Sequence, residues 1–248
     1  MAEPAEPRRV ALITGAARRI GAVIARRLHA AGWDVALHCR RSQTELDALI
    51  AALERARASS TLALQANLDD VDALAPLVAK AIDRFGRLDA LVNNASAFYP
   101  TPIEAATLAQ WDQLFAANAR APFFLAQAAA PHLATQNGAI VNLVDIYAEN
   151  PLAEHPIYSM SKAALASMTK ALARDLAPAV RVNGVAPGAI LWPDAGKEDE
   201  DQRAVIERTP LKRIGTPDDI ASAVSWLLDA PFVTGEIVRV DGGRHLVG

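Results

Sequence analysis

The chain is short of cysteine, aromatic residues and net charge, and each shortage closes off a class of protein. Cys39 is the only cysteine among 248 residues, so no internal disulfide can form and a cysteine-based metal site lacks ligands. Five scattered histidines without HExxH spacing add none, and no metal is expected. The same cysteine usage points to a reducing, cytoplasmic setting. A formal net charge of −3 and a pI near 6.0 leave no global basic field to hold nucleic acid or an anionic membrane. Long apolar runs are missing too. The opening MAEPAEPRRV is acidic and proline-containing, unlike a signal-peptide h-region. The least polar stretch, APFFLAQAAAPHLA, is interrupted by Pro131 and falls short of the roughly 20 apolar residues a membrane span needs.

What is present is an apolar fraction of 52% with 21% charged residues, ordinary for one large domain with a substantial core. Residues 1–8 read as a flexible N-terminal extension and 9–248 as a single domain. Seven β-rich runs, VALIT, DVALHC, TLALQA, ALVNNA, GAIVNLV, VRVNGVA and EIVRV, alternate with segments of helical period such as IGAVIARRLHAAG and AALASMTKALARDLA. Nearly continuous apolar strands are those buried on both faces of a parallel sheet. The expected fold is α/β: a Rossmann-like, doubly wound, mainly seven-stranded parallel sheet with helices on both faces. Ligands in such folds bind outside the carboxyl ends of the strands. In the long irregular segment LWPDAGKEDEDQRAVIERTPLKRIGTP, the acidic run KEDED reads as a solvated face or mobile loop, the functional alternative being that residues 194–216 form a lid over the site.

The turn after the first strand, TGAARRIG, can bring backbone N–H groups and a helix N-terminus to a pyrophosphate. Arg19 stands where the spaced pattern TGxxxGxG has its middle glycine. After the second strand comes HCRRS, where an NAD-selective site places an acid for the ribose 2′-hydroxyl. Arg40, Arg41 and Ser42 instead suit a 2′-phosphate and favour NADPH. In YSMSK, Tyr158 and Lys162 are four apart, hence on one helix face about a turn apart. A nearby ammonium lowers a phenol's pKa and makes Tyr158 a usable proton donor. A bare YxxxK is common by chance. Its place after the fifth strand, with NNA after the fourth and PG after the sixth, selects the functional reading.

Taken in order, TGxxx, NNA, YxxxK and VNGVAPG resemble the short-chain dehydrogenase/reductase family over essentially the whole chain. The resemblance implies Asn118, Tyr158 and Lys162 as catalytic members, with a serine 13 residues before the tyrosine. Position 145 is Asp145 instead. An ionised carboxylate opposes the negative charge that grows on a carbonyl oxygen during reduction. At about 4 Å and an effective dielectric near 20, like charges cost roughly 4 kcal/mol, on the order of a thousandfold in rate. Reduction of a C=N bond escapes that penalty, because the protonated atom is nitrogen.

Arg19, Ser96, Phe98 and Asp145, together with NNASAFYPTP and the HxxRS of His38, Arg41 and Ser42, resemble the pteridine reductase branch of that family. The branch implies NADPH as cofactor and a pterin or folate as substrate. Arg19 is then expected to reach both ligands, Ser96 and Phe98 to contact cofactor and substrate, and Asp145, Tyr158 and Lys162 to carry the reduction. Phe98 could stack an aromatic ring against the nicotinamide, core packing being its ordinary alternative. The implied cofactor contacts run from Gly15, Arg19 and Ile20 through His38, Arg41 and Ser42 to Asn67 and Leu68. They continue with Asn94, Ala95 and Ser96, then Tyr158 and Lys162, and end at Pro187, Gly188 and Ile190. Asn67 is neutral where the wider family often has an acid near the adenine. The resemblance also implies a homotetramer; Trp226 and Leu227 are assigned to the core in preference to an interface. Two alternatives remain: a general NADPH-dependent carbonyl reductase such as a 3-oxoacyl-thioester reductase, which Asp145 disfavours, and a non-catalytic dinucleotide-binding regulator, which would not need Asn118, Tyr158 and Lys162 together.

Overall fold

The computed structural model describes residues 8–192 and 199–247. Seven strands are formed: β1 (Val10–Ile13), β2 (Asp34–Cys39), β3 (Thr61–Gln65), β4 (Ala90–Asn93), β5 (Ala139–Leu143), β6 (Arg181–Pro187) and β7 (Ile237–Val240). They make one wholly parallel sheet in the order β3-β2-β1-β4-β5-β6-β7, so the winding reverses between β1 and β4. Every strand expected from the sequence is present, and the doubly wound α/β architecture is the observed one.

Eight α-helices accompany the strands among the described residues: α1 (Arg19–Ala30), α2 (Gln43–Ala56), α3 (Leu74–Phe85), α4 (Leu108–Phe115), α5 (Ala121–Ala134), α6 (Pro156–Asp175), α7 (Asp199–Glu207) and α8 (Pro217–Asp229). Alternation along β1 shows how the sheet separates two cores. Ala11 and Ile13 face a cluster with Ile24 and Leu28 of α1, Leu46 and Leu49 of α2, and Val224 and Leu227 of α8. Val10 and Leu12 face the other, with Leu77 and Val78 of α3, Leu125 and Leu133 of α5, and Ala173 of α6. Burial on both faces is why these strands read as unbroken apolar runs.

Several expectations change. Arg8, assigned to the flexible extension, pairs with Asp34 at 3.0 Å; the rest of that extension, 1–7, lies outside the described residues. Part of the proposed lid, 194–198, also lies outside them. The described remainder contains the helix α7 and is followed by a capping box at Thr216 and Asp219 that starts α8. Leu227 is buried as expected, whereas Trp226 is half exposed; adjacent helix positions differ in direction by about 100°. No helix among the described residues is long and apolar enough to cross a membrane, and none of their His, Cys, Asp or Glu side chains form a metal-binding group.

At the winding reversal, the turn from β1 into α1 sits directly against the end of β4. A Cβ on Gly21 would lie 2.2 Å from the Gly15 carbonyl oxygen and 2.5 Å from Asn94 Nδ2. Gly15 itself has φ +63, with room for no more than hydrogen beside Ala95 Cα. Gly21→Ala is therefore expected to lower stability by about 2 kcal/mol through overpacking, read as a fall in the urea unfolding midpoint. An unchanged midpoint would show that the turn yields without cost.

Candidate active site

A cleft of about 620 Å³ opens at the carboxyl ends of β1 to β4. Its walls include Gly15, Arg19 and Ile20 where β1 turns into α1, His38 near the end of β2, and Arg41 and Ser42 after it. Asn67 and Leu68 follow β3, and Asn94, Ala95 and Ser96 follow β4. Eleven positions from the ends of four strands thus meet where the sequence places a dinucleotide. The cradle fits that group: backbone closes around it at Gly15, where a side chain would collide with Ala95, and the edge beyond β2 carries Arg40 and Arg41. His38 is buried. It accepts the Gly15 N–H at Nδ1 (3.3 Å) and its Nε2 faces the Ala66 carbonyl at 3.2 Å, which selects the neutral ring protonated at Nε2. Burial lowers its pKa in the same direction, so His38 holds the turn as well as lining the cleft.

Arg19 has φ +54, a left-handed conformation that a side chain disfavours and that glycine adopts freely. Its Nη2 donates to the Trp192 carbonyl at 3.3 Å, spanning from the first turn to the segment after β6. Asp69, two residues beyond the neutral Asn67, lines the cleft and lies 3.9 Å from Arg40 Nη1. Pro187, Gly188 and Ile190 are not among these walls. Gly188 packs against Asp241, where an added Cβ would come within 2.7 Å, and Ile190 is buried in the core.

Asp145, Tyr158 and Lys162 converge beside the cleft. Asp145 follows β5 and caps a 3₁₀ turn, accepting the Tyr147 N–H at Oδ1 (2.9 Å). Its Oδ2 accepts the Tyr158 hydroxyl at 2.7 Å. Tyr158 lies in the first turn of α6, which Pro156 opens with a preset φ. Lys162 is buried one turn on, its Nζ 5.8 Å from the Tyr158 ring centroid and donating to the Leu143 carbonyl at 2.8 Å. Burial pushes the Asp145 carboxyl up, against the Tyr147 N–H, the Tyr158 hydroxyl and the Lys162 charge. Burial also pushes Lys162 down to about 8, with Asp145 opposing. The phenol corrects the sequence expectation. Burial, then the Asp145 charge and the hydrogen bond to it, raise Tyr158 well above the usual phenol range, against the Ser96 hydrogen bond.

Asn118 lies in a π-turn, Ala116–Arg120, between α4 and α5, a helix irregularity frequent at functional sites. Its amide is committed within the protein. Oδ1 accepts Ser96 Oγ (2.9 Å) and the Ala97 N–H (3.0 Å), while Nδ2 donates to the Ala97 carbonyl (3.0 Å) and Ser161 Oγ (2.9 Å). Ser161 in turn donates to the Tyr158 carbonyl at 2.7 Å. The side chain thus ties the loop after β4 to α6. Ser161 was not singled out from the sequence, although it stands inside YSMSK. Phe98 is half exposed rather than in the core, with its ring perpendicular to that of Tyr158 at 4.8 Å.

Comparison with known proteins agrees with this geometry. The family described as enoyl-(acyl carrier protein) reductase matches residues 15–245, and the chain belongs to the short-chain dehydrogenase/reductase family. Among similar proteins, pteridine reductase 1 of Leishmania tarentolae is 37% identical over 282 residues, covering 96% of each chain. A protein designated ketoacyl reductase 2 of the granaticin polyketide synthase, from Streptomyces violaceoruber, is 37% identical over 254 residues and covers all of each chain. The 3-oxoacyl-(acyl-carrier-protein) reductase of Staphylococcus aureus strain Mu50 is 33% identical over 242 residues, covering 95% of this chain and 98% of its own. The protein is therefore an oxidoreductase of a family that uses nicotinamide cofactors.

Arg19→Gly tests the turn without any ligand. Release from the left-handed region is worth roughly 1–2 kcal/mol, and the added chain freedom of glycine costs about 0.5–1 kcal/mol. The melting temperature should hold or rise slightly, and a fall of several degrees would mean that the guanidinium's contacts outweigh the strain.

Proposed function

We propose that the protein is an NADPH-dependent reductase acting on a C=N bond of a pterin or folate. The observation that carries the reading is the 2.7 Å hydrogen bond from the Tyr158 hydroxyl to the buried carboxylate of Asp145. In a carbonyl reductase that position calls for a hydroxyl, which can donate to a developing oxyanion. Asp145 accepts instead, and burial favours its neutral form, so the pair can hold a proton and present it to a ring nitrogen.

Bound in the cleft, the nicotinamide cofactor supplies a hydride to the ring carbon, and the accompanying proton completes the CH–NH product. Gly15, Ile20 and Asn94 to Ser96 line its course, with Arg19 complementing phosphate charge. Arg41 and Ser42 select the 2′-phosphate, with Arg40 beside them. Lys162 fixes the ribose and keeps the positive charge next to Tyr158. Tyr158 donates the proton, and Asp145 relays its replacement. Asn118 positions this group through Ser161, and Arg19, Ser96 and Phe98 border the substrate. Homotetramer assembly belongs to the same reading, supported by apolar side chains left exposed on α4, α5 and α8: Leu108, Trp111, Phe123 and Trp226.

The similarity to proteins named as ketoacyl or 3-oxoacyl reductases supports a second reading, reduction of a 3-oxoacyl thioester. NADPH oxidation measured with dihydrobiopterin, dihydrofolate and a 3-oxoacyl thioester separates the two. Pterin turnover is expected to exceed thioester turnover, and the reverse order would remove the proposal. Asp145→Ser should shift the ratio of the two kcat/KM values toward the thioester, because a hydroxyl that donates to the developing oxyanion replaces a group that accepts from Tyr158. A constant ratio would refute the electrostatic account.

Cofactor choice has its own test. Arg41→Ala should weaken NADPH binding about tenfold to a hundredfold through loss of a charge-assisted phosphate contact, leaving NADH binding nearly unchanged. Equal losses in a titration with both cofactors would reject Arg41 as the phosphate ligand.

A further inference from the structure

One aromatic contact beside Tyr158 falls outside the family motifs. The His155 imidazole lies flat against the Phe98 ring, with centroids 4.8 Å apart and planes 12° from parallel. The centroid separation exceeds the thickness of two rings in contact, so the pair is an offset stack. Phe98 is otherwise half exposed and hangs from the loop after β4, where a phenyl ring alone would sample several rotamers.

His155 is well placed to restrain it. Its Nδ1 lies 2.7 Å from the Ala153 carbonyl, which requires the proton on Nδ1 and fixes the ring plane. Its backbone N–H donates to the Leu152 carbonyl at 3.2 Å, and its carbonyl accepts the Ser159 N–H at 3.0 Å. Pro156 follows, which keeps His155 out of the helical region. The neighbouring Glu154 carbonyl accepts the Thr101 N–H at 2.7 Å, joining this loop to the one that carries Phe98. The imidazole is thus anchored on both sides and sits three residues before Tyr158.

We propose that His155 is a positioning residue: a backing plate that holds the Phe98 ring at a fixed angle to Tyr158 so that a planar heterocycle can bind against Phe98. The inference rests on the reading of the site as one for a pterin or folate. Ordering of Phe98 before binding removes a rotamer cost that each ligand would otherwise meet. The imidazole acts by its flat face, so a phenyl ring should replace it and a methyl group should not.

The test compares His155→Ala and His155→Phe with the parent protein, each saturated with NADPH. In titrations with a 2,4-diaminopteridine, the alanine variant is expected to bind about threefold to tenfold more weakly, the range of an aromatic pair, and the phenylalanine variant within about twofold of the parent. NADPH affinity and melting temperature should be unchanged in both, which a general loss of structure would not allow. Unchanged or tighter binding by the alanine variant would overturn the proposal, since the imidazole would then be idle or in the ligand's way. Failure of the parent protein to bind any pteridine would instead defeat the substrate reading. His155 is separately judged by acrylamide quenching in a Phe98→Trp variant, read as the difference from the same protein with Phe98 kept, since four other tryptophans also emit. Greater quenching once His155→Ala is added supports the stack, and equal quenching rejects it.

Discussion

The crevice between β1 and β4 governs the rest of the molecule, because there two backbone segments approach closely enough to exclude a single methyl group. Gly15 and Gly21 permit that approach, and Asn94 secures it by donating to the Thr14 and Gly15 carbonyls at 2.9 and 3.0 Å. From this junction a connected set of bonds leads outward. Ser96 meets Asn118, Asn118 meets Ser161, Ser161 meets the Tyr158 backbone, and the Tyr158 hydroxyl meets Asp145. The cofactor cleft and the proton-bearing pair are therefore parts of one hydrogen-bonded frame. An amide that makes four such bonds in a buried place leaves little freedom for its neighbours to drift.

Charge is distributed along that frame in a particular order. Arg19, Arg40 and Arg41 stand at the solvent-facing cleft, where an anionic ligand can meet them. The only charged groups in the inner part of the described site are Lys162 and Asp145, both buried, each moved by burial toward its neutral form and restrained by the other. Replacing a serine with a carboxylate in such surroundings exchanges a fixed donor for a group that can either accept or donate. Substrate class is thereby coupled to protonation more closely than in a site built around a hydroxyl.

Much of this was legible in the sequence, and the failures have physical causes. Parallel strands buried on two faces leave unbroken apolar runs, so all seven were readable, and with them the loops that form the cleft. Spacing on one helix likewise fixed Tyr158 relative to Lys162. Distances between elements were not readable. His38 was assigned to the cofactor from its motif, and only folding reveals that its ring carries the Gly15 turn. Pro187 ends β6, and the packing of Gly188 against Asp241 and of Ile190 in the core had no signal in the motif. Asn118 shows the same limit: a motif position indicates that an amide is needed, but not that all its hydrogen-bonding capacity is directed at Ser96, Ala97 and Ser161. The Phe98–His155 stack joins residues far apart in the chain and has no sequence signal at all.

The direction of the Tyr158 shift shows why counting nearby charges is insufficient. An ammonium one helical turn away favours the phenolate, but the Lys162 Nζ spends a hydrogen bond on the Leu143 carbonyl and lies 5.8 Å from the ring centroid. Asp145 is hydrogen-bonded directly to the phenol oxygen, and the whole group is removed from water. Desolvation and the adjacent carboxylate act in the same direction, and together they exceed the Ser96 hydrogen bond that opposes them. Tyr158 is consequently held as a phenol across the neutral range. A donor in that state needs no prior deprotonation to serve a C=N nitrogen; it needs only a route by which its proton is replaced, and the carboxyl group that burial has made more basic is already in contact with it.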